Sequence, residues 1–365
     1  MRTIAEVRLS VIRDNYKRLV KGWSGGVPMV KCNAYGHGIV QTARALEALS
    51  SVIALGVATL DEAISLREAG VKKPIWVFSE CAPFNDELAR VLEKFALTPL
   101  IHDLDDLKAA LKSRHRKLLN AVGIQLKFNT GMNRLGIAVE HAAEARRLLE
   151  AANRRAQGLC SHLANSEDPS AAITRTQLRR FGAVVETFSG HAVSYIHCGN
   201  TAATLADKKL ELSQFCNVIR PGIGMYGYGA KAGELFGLKP ALKWKARVVA
   251  ARELIGGELV GYGTTYKAKG RVAQAVLGAG YGDGLKRLLS NKALLVSSRQ
   301  RLQKAVVMGR VSMDLTSINI RSKPGEWVTL LGEGRRQGEF MAEQAETVVY
   351  EILTSISTRV PRIYL

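Results

Sequence analysis

The chain has 365 residues, 47% apolar and 23% charged, which suits a folded enzyme of about two domains. Lys and Arg outnumber Asp and Glu by 52 to 32, a formal charge of +20. The basic residues are scattered, and the densest run, 112–117, closes a predicted helix without interleaved aromatics. We therefore interpret the excess as a solvated surface and expect no nucleic-acid partner.

The sequence predicts neither export nor membrane insertion. Charges interrupt the N-terminal apolar stretch, and no run of about 18 apolar residues occurs. The five cysteines are odd in number, widely spaced and without a C-x-x-C pair, which argues against a disulfide framework or a zinc site. A reduced, cytoplasmic protein without a metal fits these features best.

Short apolar runs alternate with amphipathic segments through the first two thirds of the chain. The runs are typical of strands buried on both faces, and the segments between them have helical periodicity. Eight such runs predict a parallel (β/α)8 barrel of TIM type. They lie at 27–30, 52–58, 74–79, 97–102, 122–128, 158–164, 193–200 and 215–222. A doubly wound open sheet is the alternative, but no glycine-rich phosphate fingerprint follows the first run.

The pattern changes near residue 236, where strand-like segments separated by glycine turns follow one another with few helices between them. We therefore predict a barrel domain over 1–235 and a mostly β domain over 236–365. The first strand of the chain could pack with the second domain.

Lys31 ends the first apolar run and is followed by "CNAYGHG". In a barrel, the C-terminal ends of the strands form the active site. A lysine in an apolar setting can become a nucleophilic amine that condenses with an aldehyde, most commonly pyridoxal phosphate. By itself, such a lysine is more often a solvated residue at the barrel rim.

Several segments together resemble the alanine racemase family in order over nearly the whole chain. They are "VKCNAYGHG" (30–38), "LKFNTGMNRLG" (126–136), "CSHLANSED" (160–168), "IHCGNTAATL" (196–205), "VIRPGIGMYG" (218–227), "GYGTTY" (261–266), "GYGDG" (280–284), "GRVSMDL" (309–315) and 348–364. The resemblance implies a pyridoxal 5'-phosphate enzyme that interconverts L-alanine and D-alanine for peptidoglycan. It also implies a homodimer with active sites shared across the interface.

Removing a proton from one face of an amino acid and returning it to the other requires two acid/base groups. By the resemblance these are Lys31, which also holds the cofactor, and Tyr262 of the β domain, which reaches the neighbouring subunit's site. His162 and Arg220 would link to the tyrosine, with Arg220 against the cofactor's ring nitrogen. Taken alone, each of Tyr262 and His162 would more often be a core residue.

The resemblance assigns the remaining site residues as well. Phosphate binding falls to hydroxyls and backbone N–H groups of Tyr35, Thr201, Gly222, Ile223 and Tyr350. Arg134 and the backbone of Met313 would hold the substrate carboxylate, and Tyr281 would narrow the entrance. Lys127 matches a lysine that is commonly carbamylated in the family. The alternative for the Gly222 segment is a plain tight turn.

This sequence departs from the family pattern at Cys32 (for Ala), Asn129 and Asn133 (for Asp and Gly), Thr201 (for Ser), Gly282 (for Ala) and Ser312 (for Cys). None of these changes removes an acid/base group or a phosphate donor. Because Asn129 and Asn133 flank Arg134, the substrate range is the least determined property.

Three other functions remain as alternatives. A broad-specificity racemase of the same fold would act on serine, lysine or arginine. A barrel decarboxylase would place a carboxylate where Arg220 stands. A pyridoxal-phosphate homeostasis protein would lack the β domain that carries Tyr262.

Overall fold

A computed structural model describes residues 1–113, 122–229 and 236–365. Most of the basic run at 112–117 therefore lies outside the described residues, and the helix predicted to include it is described only to Lys112. Within the described ranges, no helix is both long enough and apolar enough to cross a membrane.

The N-terminal part is a parallel barrel, as predicted. Six strands pair in parallel and in sequence order within one sheet: Leu55–Val57, Ile75–Val77, Leu97–Ile101, Gln125–Asn129, Gly158–Cys160 and Tyr195–His197. A further short strand, Ile137–Ala138, pairs with the end of Gln125–Asn129. Gly25–Gly26 and Val218–Ile219 pair in parallel with each other.

Backbone hydrogen bonds close the barrel on both sides of the paired strands Gly25–Gly26 and Val218–Ile219. Parallel bridges join Gly26 to Val52 and Met29 to Gly56. On the other side, the Asn217 N–H donates to the Ile196 carbonyl at 3.1 Å. The run 27–30 was predicted as a strand, but the regular strand covers only Gly25–Gly26. Over residues 27–30, isolated backbone hydrogen bonds join the chain to the neighbouring segments on either side. A regular strand does not continue because the chain turns sharply at Lys31.

Amphipathic helices surround the barrel and begin at side-chain caps where the sequence supplies them. Thr59 and Glu62 form a reciprocal capping box, and Asn85 and Asp103 each accept a backbone N–H of the helix that follows. The barrel-domain helices are Leu9–Val20, Ile39–Glu47, Leu60–Glu68, Asp86–Phe95, Leu104–Lys112, Ala142–Ala151, Ala172–Thr187, Thr201–Leu205 and Asp207–Leu210.

The C-terminal part is a mostly β domain, as predicted. Its strands are Leu242–Leu254, Leu259–Val260, Tyr266–Lys267, Val272–Leu277, Ala293–Ser298, Arg301–Val306, Thr316–Ile318, Trp327–Leu331 and Arg362–Tyr364. It also contains two helices, Arg335–Gln344 and Val349–Thr354. The second helix contributes Tyr350 to the barrel mouth.

The first strand of the chain, Thr3–Val7, lies within the C-terminal sheet. It pairs antiparallel with Leu242–Leu254 and parallel with Arg362–Tyr364. The indole N–H of buried Trp244 donates to the Thr3 hydroxyl at 2.8 Å. Both chain ends therefore stabilise the same sheet, which ties the β domain to the base of the first barrel helix.

Candidate active site

A cavity of about 480 Å³ opens at the C-terminal ends of the barrel strands. It brings together most of the residues that the sequence predicted: Lys31, Tyr35, Lys127, Arg134, His162, Thr201, Arg220, Gly222, Ile223 and Tyr350. These residues come from well-separated segments of the chain, including Tyr350 of the C-terminal domain, so only the folded protein makes them neighbours.

Lys31 and Tyr35 reach this cavity through a left-handed turn. Four consecutive non-glycine residues, Cys32 to Tyr35, have φ between 51° and 53°. Each costs roughly 1–2 kcal/mol relative to the right-handed conformation. One long-range and one local hydrogen bond offset this cost: the Cys32 N–H donates to Glu62 at 2.6 Å, and the Asn33 carbonyl oxygen accepts from the Gly38 N–H at 2.9 Å. The turn places both side chains on one wall of the cavity.

The two glycines after the turn are there because other segments approach closely. A Cβ on Gly36 would lie 2.2 Å from the Leu353 carbonyl oxygen, and one on Gly38 would lie 1.9 Å from the Tyr364 hydroxyl. The end of the chain therefore packs directly against the Lys31 segment. This contact explains the glycines in "AYGHG" better than chain flexibility does.

Arg220 is buried and held by acceptors from two neighbouring strands. Its Nη1 donates to Nδ1 of His197 at 2.6 Å and to the His197 carbonyl at 2.7 Å. Its Nη2 donates to the Ser161 carbonyl at 2.7 Å and lies 3.2 Å from Nδ1 of His162. Among the described residues these bonds use only the two terminal nitrogens, which leaves the Nε–H as a donor for a ligand.

His162 and Lys127 are both disfavoured in their charged forms. Burial, followed by the charge of Arg220, lowers the pKa of His162 to about 3. Burial also lowers the pKa of Lys127, and the neighbouring Arg220, Arg134 and Lys31 add to the effect. His162 is therefore a neutral hydrogen-bonding group here, and Lys127 gains nucleophilic character.

The backbone turn at Gly222–Gly224 packs against Thr201 and Tyr35. The N–H groups of Gly222 and Gly224 both point at the Thr201 hydroxyl, each at 3.1 Å. A Cβ on Gly222 would lie 2.6 Å from the Tyr35 hydroxyl oxygen. Glycine is required at position 222 for this close approach. The packing brings backbone N–H groups and the hydroxyls of Thr201 and Tyr35 together on one wall of the cavity.

Arg134 lies on the loop that follows the strand Gln125–Asn129, and the two departures from the family pattern shape that loop. The Asn129 side-chain oxygen accepts from the N–H groups of Gly131 and Asn133, at 3.1 and 3.0 Å. Asn133 has φ of 56°, a conformation that asparagine tolerates better than most residues. Asn133 can therefore stand where the family usually has glycine.

Three predicted residues, Tyr262, Tyr281 and Met313, lie outside the described lining of this cavity. All belong to the β domain and face solvent in the single chain, with exposed fractions of 74%, 44% and 52%. Tyr281 and Met313 are adjacent: the Tyr281 N–H donates to the Ser312 carbonyl, and the Gly282 N–H to the Met313 carbonyl, both at 2.9 Å.

Sequence reasoning missed several residues that shape the site. His197 anchors Arg220, and Asn200 caps the short helix that begins at Thr201. Both occur within the segment "IHCGNTAATL", so polar residues at a strand end were the available signal. Phe78, which packs 5.7 Å from the Arg220 guanidinium, carried no such signal. Among the described residues, no cluster of His, Cys, Asp or Glu is placed to hold a metal.

The fold and the cavity define the class of protein: a barrel enzyme joined to a β domain, with a lysine, a buried arginine and a glycine-containing turn at the barrel mouth. Comparison with known families is consistent with this class. Residues 7–230 match the alanine racemase N-terminal domain, and residues 241–364 match the alanine racemase C-terminal domain.

Individual relatives align along their whole lengths. The alanine racemase of Carboxydothermus hydrogenoformans is 36% identical over 379 residues, covering 99% of each chain. The structure of alanine racemase from Acinetobacter baumannii is 30% identical, with a TM-score of 0.88 and full coverage of both chains. The Bartonella henselae alanine racemase, solved with covalently bound pyridoxal phosphate, is 25% identical with a TM-score of 0.87. The chain belongs to the alanine racemase family, whose members are isomerases.

Proposed function

We propose that this protein is a pyridoxal-phosphate-dependent alanine racemase that interconverts L-alanine and D-alanine. One observation carries the proposal: a single cavity in a chain of the alanine racemase family is lined by Lys31, Arg134, Arg220, Gly222 and Ile223. The D-alanine formed would supply peptidoglycan synthesis.

The cavity residues fit pyridoxal phosphate. Lys31 offers an amine for the aldehyde, and Thr201, Tyr35, Tyr350 and the N–H groups at Gly222 and Ile223 would hold the phosphate. Arg220 offers an N–H donor to the ring nitrogen, and because arginine cannot accept a proton back, that nitrogen stays unprotonated. When bound, the cofactor supplies an electron sink for the carbanion formed at the α-carbon.

The protein's own residues would move the protons and hold the substrate. The Lys31 amine takes or returns a proton on one face of the α-carbon. Tyr262 of the partner subunit would do so on the opposite face, since the Tyr262 phenol is largely exposed in the single chain and a second subunit can receive it. Arg134 would bind the substrate carboxylate, helped by the backbone of Met313 of the partner subunit.

Two further assignments complete the proposal. Tyr281 of the partner subunit would narrow the entrance to the cavity. Lys127 would carry a carbamate, because its lowered pKa favours the neutral amine that reacts with carbon dioxide. The carbamate would be an anion that orients Arg134 toward the substrate carboxylate.

The test is a chirality assay with L-alanine in deuterated solvent, run on the parent, Lys31→Ala and Tyr262→Phe. The lysine variant should lose the absorbance of lysine-bound cofactor. The tyrosine variant should keep that absorbance yet racemise far more slowly. Tyr266→Phe, which removes a phenol four residues further along, serves as the matched control.

Full activity of Tyr262→Phe would reject the assignment of the two faces. Serine, lysine and arginine belong in the same assay, because turnover of any of them at a rate near that of alanine would support a broad-specificity racemase instead. Absence of racemisation of every amino acid by the parent would reject the proposed function itself.

A further inference from the structure

His102 is a buried histidine whose ring has no assigned role. It directly follows the strand Leu97–Ile101 and is only 6% exposed. Within the described part of the chain, neither its Nδ1 nor its Nε2 has a hydrogen-bond partner. Buried polar atoms normally find partners, so this ring points to a group that the unmodified side chains do not supply.

The strand register places His102 beside Lys127. Ile101 pairs with Leu126 on the neighbouring strand, so the next residues, His102 and Lys127, are also neighbours on the same face. That face is the barrel interior: Leu100 belongs to the interior apolar cluster, and Gln125 contacts the interior His197. Lys127 is itself only 8% exposed.

The surroundings of Lys127 are strongly basic. Lys31, Lys127, Arg134 and Arg220 line the cavity, whereas Glu351 is the one carboxylate among its described lining residues. Cys160 lies beside Lys127 on the other neighbouring strand. Burial, followed by the charge of Lys127, lowers the pKa of His102 to about 4, so the ring is neutral and carries one N–H donor.

We propose that His102 is a positioning residue that donates its N–H to a carbamate on Lys127. The lone pair of the neutral Lys127 amine attacks the carbon of carbon dioxide, and a nitrogen–carbon bond forms. One carbonyl π pair moves onto oxygen, and the nitrogen releases a proton to water. The inference rests on the proposed function, in which Lys127 carries this group, and it assigns the residue that holds it.

A carbamate on Lys127 would both balance the positive charge of the site and give His102 a hydrogen-bond partner. Its negative charge offsets the excess of cations around Lys127, and its oxygens provide the acceptor that His102 lacks. With one side held by His102, the opposite side of the carbamate is free to orient Arg134. His102 would then affect substrate binding without touching substrate.

The test measures the carbamate directly. The holoenzyme is equilibrated with [13C]bicarbonate, and the carbamate resonance is followed by 13C NMR in the parent, Lys127→Ala, His102→Leu and His102→Asn. His141→Asn, which removes an exposed histidine, is the matched control. Circular dichroism checks the folding of each variant, and His102→Ala replaces the leucine variant if leucine is not accommodated.

The parent and His141→Asn should show the resonance, and Lys127→Ala should not. The His102→Leu variant should need about tenfold more bicarbonate for half-occupancy, because it loses a hydrogen bond to an anion. The His102→Asn variant, which keeps an N–H donor, should lie closer to the parent. At low bicarbonate the KM of His102→Leu for alanine should lie above the parent value. At saturating bicarbonate it should return toward the parent value.

Equal half-occupancy in the parent and His102→Leu would overturn the assignment of His102. Absence of the resonance in the parent would overturn it too. A parent that carries the carbamate but racemises no amino acid would reject the proposed function and leave the role of His102 intact. A parent that racemises alanine without any carbamate would support the proposed function and overturn the role of His102.

Discussion

The Arg220 guanidinium donates to Nδ1 of the buried His197 at 2.6 Å. Arginine can only donate, so Nδ1 must accept and the His197 proton must sit on Nε2. That Nε2 lies 3.2 Å from the Gln125 side-chain oxygen, and the Gln125 amide donates in turn to Gln157 at 3.0 Å. A chain of oriented polar groups therefore runs through the barrel interior to Arg220.

Substituting His197 should leave Arg220 less well oriented, although His197 itself has no assigned contact with cofactor or substrate. The His197→Leu variant deprives a buried guanidinium of an acceptor, and we expect the free energy of unfolding to fall by roughly 1–3 kcal/mol. The rate of racemisation should fall because Arg220 is less well oriented. The His197→Asn variant retains an acceptor and should lose less. Urea unfolding and the absorbance spectrum of the bound cofactor check both effects, and equal losses in the two variants would contradict this account.

Mixing two inactive variants should restore activity if Tyr262 serves the neighbouring subunit. Lys31→Ala and Tyr262→Phe are each expected to be nearly inactive. In a randomly mixed dimer population, about half of the molecules combine the two chains, and each of these has one intact site. We therefore expect recovery of about a quarter of the parent activity after unfolding and refolding the mixture. No recovery, with dimers shown by light scattering, would place Tyr262 in its own chain's site.

A buried carboxylate holds the loops that carry Tyr281 and Met313. Asp283 is fully buried, and its carboxylate accepts from Arg2 Nη2 at 2.8 Å and from Arg359 Nε at 3.1 Å. Arg2 also donates to the Asp314 carbonyl at 2.7 Å. The second residue of the chain therefore joins both loops.

Substituting Arg2 should loosen these loops. In the Arg2→Ala variant, we expect the free energy of unfolding to fall by roughly 1–3 kcal/mol because a buried charge loses a partner. The KM for alanine should rise while kcat changes little, since the loops position substrate rather than protons. The Arg13→Ala variant, at an exposed site, is the control. A change confined to kcat would contradict the role in positioning.

Buried neutral histidines should make the protein less stable in mild acid. Burial lowers the pKa of His37 from 6.5 to about 4. The unfolded chain therefore binds a proton below pH 6.5 that the folded chain does not, and stability falls as the pH drops toward 4. This residue alone should contribute about 1.4 kcal/mol per pH unit within that window.

The same measurement on His37→Gln isolates this residue, because an amide does not titrate. Urea unfolding of both proteins at fixed concentration should show a steeper loss of stability for the parent between pH 7 and pH 5. His102 and His162, whose pKa values are lowered in the same direction, contribute equally to both proteins. Parallel pH profiles for parent and variant would contradict the assignment.

The sequence by itself determined the architecture and most of the cavity. Apolar runs alternating with amphipathic segments predict a barrel because parallel strands buried on both faces need helices to cover them. Strand ends meet at one rim, which placed Lys31 at the site, whereas Lys127 and Arg220 were assigned to it by the resemblance to the alanine racemase family. A local pattern is enough wherever periodicity or strand polarity decides the position.

Only the tertiary structure decided the contacts between distant segments. The left-handed turn from Cys32 to Tyr35 runs against local preference and persists because Glu62, Leu353 and Tyr364 pack around it. The pairing of Thr3–Val7 with the β domain, and the adjacency of His102 and Lys127, depend on strand order and register. Both features depend on which distant strands pair and in what register. The spacing of residues along the chain does not determine this pairing.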